Sequence, residues 1–463
     1  MRKIFAVTVG KILLKIIRLF KIGGGSALPG LLIEKIYPGI LSCFSSGFFE
    51  KGIIVVTGTN GKTTTAWLIS NVLEKNGLRV LNNFTGSNLP RGIISSIIEK
   101  TGILNKKKFD FGVFEVDEAS TKTLIPVLNP CMILVTNLFR DQLDRYGELD
   151  KTASIILEAI NSNKNREQTV ILNGNDPLIT SFSKKINAKK ILFFGMGKAD
   201  YSVESVIDVG YCPLCSKELA FSPRFYGHLG NYSCKNCGFK TPELDFYAGS
   251  VEFREKFSLY FKINVKGYSE TYEIRPLLFG FFNVFNITGA FSVLFSLNIK
   301  PDFIKKSIEK TKFVFGRMEK FESDGKGIMI LLGKNPVGFA ENINVVNFDK
   351  NKKVYLIILN DRFADGTDVS WIWDVPFEKI SQDSFIISSG IRAADMSLRL
   401  KYAQVPEKNI KTINGIPLAF QESLKLTKKG EMLYILPTYS SMLELRKYLL
   451  KKNVIKGKEL YKI

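Results

Sequence analysis

Three groups of residues in this chain have the types and spacing that chemistry needs. The first is Gly58-Thr59-Asn60-Gly61-Lys62-Thr63-Thr64-Thr65, which follows the apolar run Ile53 to Val56 and precedes Ala66-Trp67-Leu68-Ile69. Strand, glycine-rich loop and helix is a setting in which backbone N–H groups face an anion and the helix N-terminus adds partial positive charge. There Lys62 reaches terminal phosphates and the Thr63 hydroxyl ligates Mg²⁺. The loop is shorter than the common G-x-x-x-x-G-K-[ST] pattern. A glycine-rich turn with a surface lysine is the plainer reading, but a Gly-Lys-Thr-Thr run behind a strand is specific.

The second group is Cys212-Pro-Leu-Cys215 and Cys234-Lys-Asn-Cys237, separated by eighteen residues. This is zinc-ribbon spacing, and four thiolates close a tetrahedral site, so Cys212, Cys215, Cys234 and Cys237 are expected to hold a structural Zn²⁺. Redox chemistry at the paired motifs is the competing reading. The third group is the carboxylate-rich stretch Asn360-Asp361-Arg362-Phe363-Ala364-Asp365-Gly366-Thr367-Asp368, running into Ser370-Trp371-Ile372-Trp373-Asp374. Several carboxylates in a loop after a strand suit a cation, an amine or a sugar hydroxyl; a solvated acidic turn has the same composition.

These groups need a scaffold. Short apolar runs at Arg79 to Leu81, Phe111 to Val116, Met132 to Thr136, Thr169 to Leu172 and Ile191 to Phe194 alternate with helical patterns. The alternation predicts a parallel α/β sheet with helices on both faces and ligands at the carboxyl ends of its strands. Glu115 stands at such an end, where a carboxylate completes Mg²⁺ coordination or simply meets solvent. So do Asn83, Thr85-Gly-Ser-Asn88 and Thr136-Asn137. The charged stretch Arg140 to Glu148 suits either a substrate contact or a salt-bridged helix start. Asn283 and Asn286 share one helix face and suit a nucleotide base or a helix cap. Phe315-Gly316-Arg317 reads as a hinge, with Arg317 able to stabilise phosphate charge. Beyond it, runs at Ile328 to Leu332, Val354 to Leu359, Ser384 to Ser388 and Met432 to Leu436 form a second α/β unit, with Gly333-Lys334-Asn335-Pro336 in a further loop. The expected division is 1–50, a basic amphipathic segment; 51–315, a nucleotide-binding domain with the cysteine insertion at about 205–245; and 316–463, a C-terminal domain.

The chain has 463 residues and a formal charge of +21, which suits nucleic acid, an anionic membrane or an acidic partner, or only scattered surface lysines. Arg2, Lys3, Lys11, Lys15, Arg18 and Lys21 interrupt an apolar N-terminal helix without any acidic residue. That pattern fits peripheral contact with the inner face of a membrane, or packing on the main domain, but not a span. The cysteine usage argues for a reducing, cytoplasmic setting.

The loop at 58–65, Glu115, Asn283 with Asn286, Gly316-Arg317 and Lys334-Asn335-Pro336 together resemble the Mur ligase family. Thr85 to Gly92, Asn137 to Asp150, the four-cysteine insertion and Asp365 to Asp374 resemble its MurT-type branch, the ligase-like subunits of lipid II isoglutaminyl synthase; the likeness covers nearly the whole chain. The resemblance implies a Mur ligase-like phosphate-loop domain followed by a smaller Rossmann-like one. It implies ATP-dependent amidation of the α-carboxylate of D-glutamate in the lipid II stem peptide, through an acyl phosphate. In that frame Gly58 to Thr64 and Arg317 bind ATP, Glu115 supports Mg²⁺, Asn283 and Asn286 belong to the nucleotide site with Asn286 on the adenine, and Asp368 orients or deprotonates ammonia. Two readings of the residues agree with it. The phosphate loop begins near residue 58, which leaves no room before it for a UDP-sugar domain. His228, the lone histidine, lies in the cysteine insertion, so Cys43 and Cys131 lack a glutaminase base and a separate GatD-type glutamine amidotransferase subunit is expected in a heterodimer. A folylpolyglutamate synthase-like ligase is the first alternative. A zinc-ribbon ATPase on nucleic acid is the second, but the chain shows no clustered basic and aromatic groove, so no nucleic-acid partner is expected.

Overall fold

The computed structural model describes residues 2–19, 28–45, 47–83, 88–101, 108–141, 149–197, 208–254, 257–311 and 317–455. Thr85 to Ser87, Gln142 to Glu148, Phe315-Gly316, the start of the cysteine insertion before residue 208 and the side chain of Arg317 lie outside the described residues.

The first sheet is built on β1 (Phe49–Thr57), β2 (Val80–Asn82), β3 (Phe109–Glu115), β4 (Met132–Val135), β5 (Thr169–Asn173) and β6 (Lys190–Met196). These strands are parallel, as their buried apolar runs predict, because helices cover both faces. β1 is central: Val55 faces Phe114 of β3 on one side and Ile133 of β4 on the other. The helices Lys62–Lys75 and Phe281–Ser296 pack together on one face, and Thr121–Leu128 with Leu149–Ser162 on the other. The chain then forms an antiparallel hairpin, β7 (Ala220–Tyr226) and β8 (Leu229–Ser233), within the cysteine insertion.

Three further strands, β9 (Phe246–Arg254), β10 (Ser258–Val265) and β11 (Thr271–Ile274), extend the sheet beyond β6 to nine strands in the order β11-β10-β9-β6-β5-β4-β1-β3-β2. None of the three is among the strands expected from the sequence, although β10 carries the buried run Leu259-Tyr260-Phe261. β9 alternates buried and exposed residues, as a half-covered antiparallel extension does.

The second sheet runs β12 (Arg317–Ser323), β13 (Lys326–Leu331), β14 (Val354–Ile358), β15 (Phe385–Ser389), β16 (Ile410–Thr412) and β17 (Met432–Pro437), in the order β12-β13-β17-β14-β15-β16. Of the stretch the sequence reads as a hinge, Phe315 and Gly316 lie outside the described residues, and Arg317 opens an edge strand that pairs antiparallel with β13. Its polar sequence hid it, since an edge strand needs few buried residues.

The N-terminal helices are part of the first domain and do not stand apart from it. Arg2–Leu19 packs on Leu28–Ile36 and on Pro90–Lys100, burying Val7 with Ile33, Ile94 and Ile98 in one cluster. The Gly30 N–H donates to Ser95 Oγ at 2.9 Å. No described helix is long and apolar enough to cross a membrane.

Candidate active site and candidate metal centre

The phosphate loop leaves β1 through two glycines in left-handed backbone, Gly58 at φ 117° and Gly61 at φ 87°. Both also sit against neighbours. A Cβ on Gly58 would lie 2.4 Å from Thr136 Oγ1, and one on Gly61 2.0 Å from Asn286 Oδ1. The helix Lys62–Lys75 starts at Gly61 with no side-chain cap, so its first-turn N–H groups face the loop. The segment after β4 braces the loop from behind. Asn137 accepts from the Asn60 N–H at 2.8 Å and donates to the Asn60 carbonyl at 3.0 Å. The Thr59 N–H donates to the Asn137 carbonyl at 2.8 Å, and the Phe139 N–H donates to Thr59 Oγ1 at 3.1 Å.

Lys62 is buried, and its ammonium donates to the carbonyls of Gly58 and Thr59 and to Glu118 at 3.0 Å. Burial by itself would lower its affinity for the proton. Glu118, Asp117 and Glu115 outweigh that and hold Lys62 above the ordinary lysine value, so it stays a cation. Glu118, three residues beyond the end of β3 in the polar strand-end stretch Glu115-Val116-Asp117-Glu118, is the carboxylate that touches Lys62, a pairing the sequence did not assign. Glu115 is half-buried at the end of β3, within 3.5 Å of the Asn88 amide. The Asn83 amide grips its backbone, donating to the Glu115 carbonyl at 2.8 Å and accepting from its N–H at 2.9 Å.

The C-terminal domain meets this loop directly. Asn335 caps the helix Pro336–Asn347, accepting from the Gly338 N–H, and its amide donates to Asn60 Oδ1 at 3.1 Å. Lys334 pairs with Asp141, and Arg140 lies 3.5 Å from Asp374. Between the domains is a cleft lined by Asn60, Gly61, Phe282, Asn286, Met318 and Glu341 among others. Apolar walls with a few polar groups beside a phosphate loop suit a purine base. Asn286 therefore stands where a nucleotide contact is expected. Asn283 turns away: its amide N–H donates to the Phe279 carbonyl at 2.7 Å, and its Oδ1 accepts from Asn286 Nδ2 at 3.2 Å. Glu341 was not anticipated either. Burial pushes its carboxyl up to about 8 against the opposing Asn344 hydrogen bond, so it is largely protonated at neutral pH.

The carboxylates of the Asp365–Asp374 loop separate into different roles. Asp365 is buried and accepts from the Ser440 N–H at 2.7 Å and from its hydroxyl, bracing the start of the helix Tyr439–Lys451. Asp368 is exposed and accepts from Ser370, through N–H at 2.8 Å and Oγ at 2.9 Å. It opens on a polar depression of about 300 Å³ shared with Thr367, Trp373, Arg392 and Asp395. Trp371 packs on Phe339, while Trp373 is half-exposed beside Tyr402.

At the cysteine insertion, the four sulfurs of Cys212, Cys215, Cys234 and Cys237 lie within 4.8 Å of one another. Two sulfur pairs stand at 3.6 and 3.5 Å, the edge lengths that four thiolates at about 2.3 Å from one tetrahedral Zn²⁺ would show to within a few tenths of an ångström. The donor set fits that metal. The other two cysteines are elsewhere: Cys43 contacts the Tyr37 hydroxyl and Cys131 points at the Ile53 carbonyl. His228 is fully buried, 3.5 Å from Asp176 and packed on Phe139.

Comparison with known proteins agrees with this geometry. Residues 56–211 match the Mur ligase middle domain, and residues 332–442 match the MurT ligase C-terminal domain. The chain is 32% identical to the lipid II isoglutaminyl synthase (glutamine-hydrolyzing) subunit MurT of Streptococcus pneumoniae, over 95% of each chain. It is 34% identical to the protein of that name from Staphylococcus aureus strain COL, over 82% of this chain and 84% of the other. Among solved structures, a pseudomurein peptide ligase type C from Methanothermus fervidus superposes with a TM-score of 0.67 at 21% identity, covering 88% of this chain and 80% of that one.

Proposed function

Because this chain belongs to the MurT branch of the Mur ligase family of ATP-dependent ligases, we propose that it amidates the α-carboxylate of D-glutamate in the lipid II stem peptide, giving D-isoglutamine for peptidoglycan synthesis. The observation that carries this reading is the end-to-end likeness to the Streptococcus pneumoniae subunit, and the buried loop at Lys62 supplies the chemistry.

In this reading a carboxylate oxygen of the substrate attacks the γ-phosphorus of ATP, ADP leaves, and an acyl phosphate forms. Ammonia then adds to its carbonyl carbon, the C–O bond to phosphate breaks, and one proton is lost from nitrogen. Mg²⁺, when bound, would screen phosphate charge, and Thr63 and Glu115 are the residues that would hold it. Gly58, Thr59, Asn60, Gly61 and Thr64 shape the phosphate cradle, and Lys62 is a fixed cation for the transferring phosphoryl group. Asn286 faces the base. Asn283 supports Asn286 through their amide contact, and Arg317 is assigned to stabilising phosphate charge. Asp368 binds ammonium and takes its proton, since only neutral ammonia attacks. The four cysteines hold a structural Zn²⁺. The domain limits are 51–315 and 316–463, with the described helices before residue 51 packed onto the first.

Ammonia comes from a separate GatD-type glutaminase subunit. Lipid II lies in a membrane, and the exposed Phe5, Ile12 and Lys15 of the N-terminal helix suit peripheral contact at its cytoplasmic face. Co-expression with the glutaminase followed by an amidation assay on lipid II tests the reading. Isoglutamine formation that needs ATP and glutamine is expected. Stimulation of ATP turnover by folate and glutamate, and not by lipid II, would overturn it.

A further inference from the structure

The cysteine hairpin is not an appendage remote from the reaction. Its tip, Tyr226-Gly227-His228, reaches the segment that braces the phosphate loop. Gly227 sits so close that a Cβ there would lie 2.5 Å from the Phe139 ring. Tyr226 and His228 pack on the same ring, with centroids 5.5 and 4.8 Å away. Tyr226 Oη accepts from the Asn137 amide at 3.3 Å. That amide also donates to the Asn60 carbonyl, and its oxygen takes the Asn60 N–H, so one side chain ties hairpin to loop. Tyr226 also packs edge-on against Phe285, one residue from Asn286, and its side chain lines the interdomain cleft beside Asn60 and Gly61. A second tie is Asn175, after β5. Its backbone carbonyl accepts from the Gly230 N–H at 3.0 Å, and its amide donates to Asn231 at 2.9 Å. At its far end the hairpin leads to Cys234 after β8, and a backbone bridge joins Ser233 to Lys240 around the knuckle.

A four-thiolate metal site contributes folding free energy to the small unit that carries it. This unit is a two-stranded hairpin, which is marginal by itself. What fixes the hairpin therefore also fixes the wall behind Thr59 and Asn60. We propose that the hairpin tip is the rear support of the phosphate loop, with Tyr226 as its positioning residue, so that metal occupancy at the four cysteines and nucleotide affinity at the loop are thermodynamically linked. The proposal rests on the reading of residues 58–65 as the nucleotide loop and of the cysteines as the zinc site. It is independent of the acceptor that is amidated.

Linkage is reciprocal: if zinc tightens ATP by some factor, ATP tightens zinc by the same factor. The test uses the full chain purified with its zinc, ATP with Mg²⁺ measured by titration calorimetry, and zinc affinity measured by equilibrium competition with a colorimetric chelator. Removing zinc is expected to weaken ATP about tenfold, with recovery when zinc is restored. Saturating ATP should raise zinc affinity by the same factor. Tyr226→Phe keeps the ring and removes only Oη, so it stays folded. It should weaken ATP about fivefold, the size of one hydrogen bond, and shrink the ATP–zinc linkage with little change in Tm. ATP affinity that is indifferent to zinc, or zinc affinity that is indifferent to ATP, would overturn the proposal. So would a Tyr226→Phe variant with weakened ATP but full linkage, because that result makes the phenol a direct nucleotide contact. Failure of the wild-type protein to bind ATP at all would overturn the nucleotide reading and this proposal together.

Discussion

The phosphate loop and the Asp365–Asp374 loop both follow the carboxyl end of a parallel strand, β1 and β14, yet they are secured in opposite ways. Around Lys62 the braces come from three distant segments: Glu118, the Asn137–Phe139 stretch and Asn335 of the other domain. Around Asp368 the braces are local: Ser370 donates two hydrogen bonds to it and the side chain is exposed. Within that second loop Asp365 behaves like the first, buried and tied to Ser440 across the fold. The difference fits the proposed roles: in that reading the group that holds a charged phosphate is preorganised by the fold, and the group that meets an arriving small molecule is left open to it. Arg140 with Asp374 and Lys334 with Asp141 tie the two regions together, so closure of the domains sets their separation.

That contrast can be broken most severely at Lys62. Lys62→Ala removes the buried cation of the loop, and ATP-dependent amidation is expected to fall by about a thousandfold or more with the fold retained. Leaving Glu118 buried without its partner will cost some stability as well, which a thermal melt will report. Wild-type amidation by this variant would remove Lys62 from the site.

Asp368→Asn sharpens the comparison at the other loop. Isoglutamine formation should drop roughly a hundredfold while ATP affinity stays nearly unchanged, the signature of a lost base in a group that does not hold nucleotide. Measuring both on one variant, with the glutaminase and again with excess ammonium salt, decides the role. Wild-type rates in both conditions would exclude Asp368, and rescue by ammonium alone would confine it to ammonia delivery.

Glu341 offers a smaller, pH-dependent effect. Its folded carboxyl titrates at about 8 because of burial, with Asn344 and Lys379 opposing, whereas the unfolded chain releases that proton in the ordinary carboxylate range. Between those values the unfolded state binds fewer protons, so this group's stability contribution is full at low pH and is lost as pH rises toward 8. Glu341→Gln should flatten the decline in stability between about pH 6 and pH 7.5 by about 2 kcal/mol, read from denaturant melts at each pH. Parallel curves for the two proteins would show that Glu341 is ionised in the folded state.

Asn335→Ala is expected to be mildest. It removes a helix cap, at a cost of about 1 kcal/mol, together with the amide contact to Asn60. A rise in KM for ATP alongside that loss would show that the interdomain contact supports the loop; an unchanged KM would reduce Asn335 to a cap.

The sequence alone determined the features whose physics is local. Gly58 to Thr65 is legible because strand, turn glycines and helix start are contiguous, and the two Cys-x-x-Cys pairs are legible because metal geometry constrains short spacings. The parallel strands are legible because burial on both faces leaves continuous apolar runs. The tertiary structure decided whatever depends on which distant side chain arrives. It chose Glu118 to pair with Lys62, separated the buried Asp365 from the exposed Asp368, and turned Asn283 inward while Asn286 lines the cleft. It also placed the N-terminal helix on Pro90–Lys100 and the hairpin tip on Phe139. The half-exposed β9 and the edge strand β12 carried no continuous apolar signal, because only one face of each needs covering. Residue type and local periodicity are written in the chain, but burial and pairing are properties of the packed whole, and those decide which of several equal carboxylates or amides does the work.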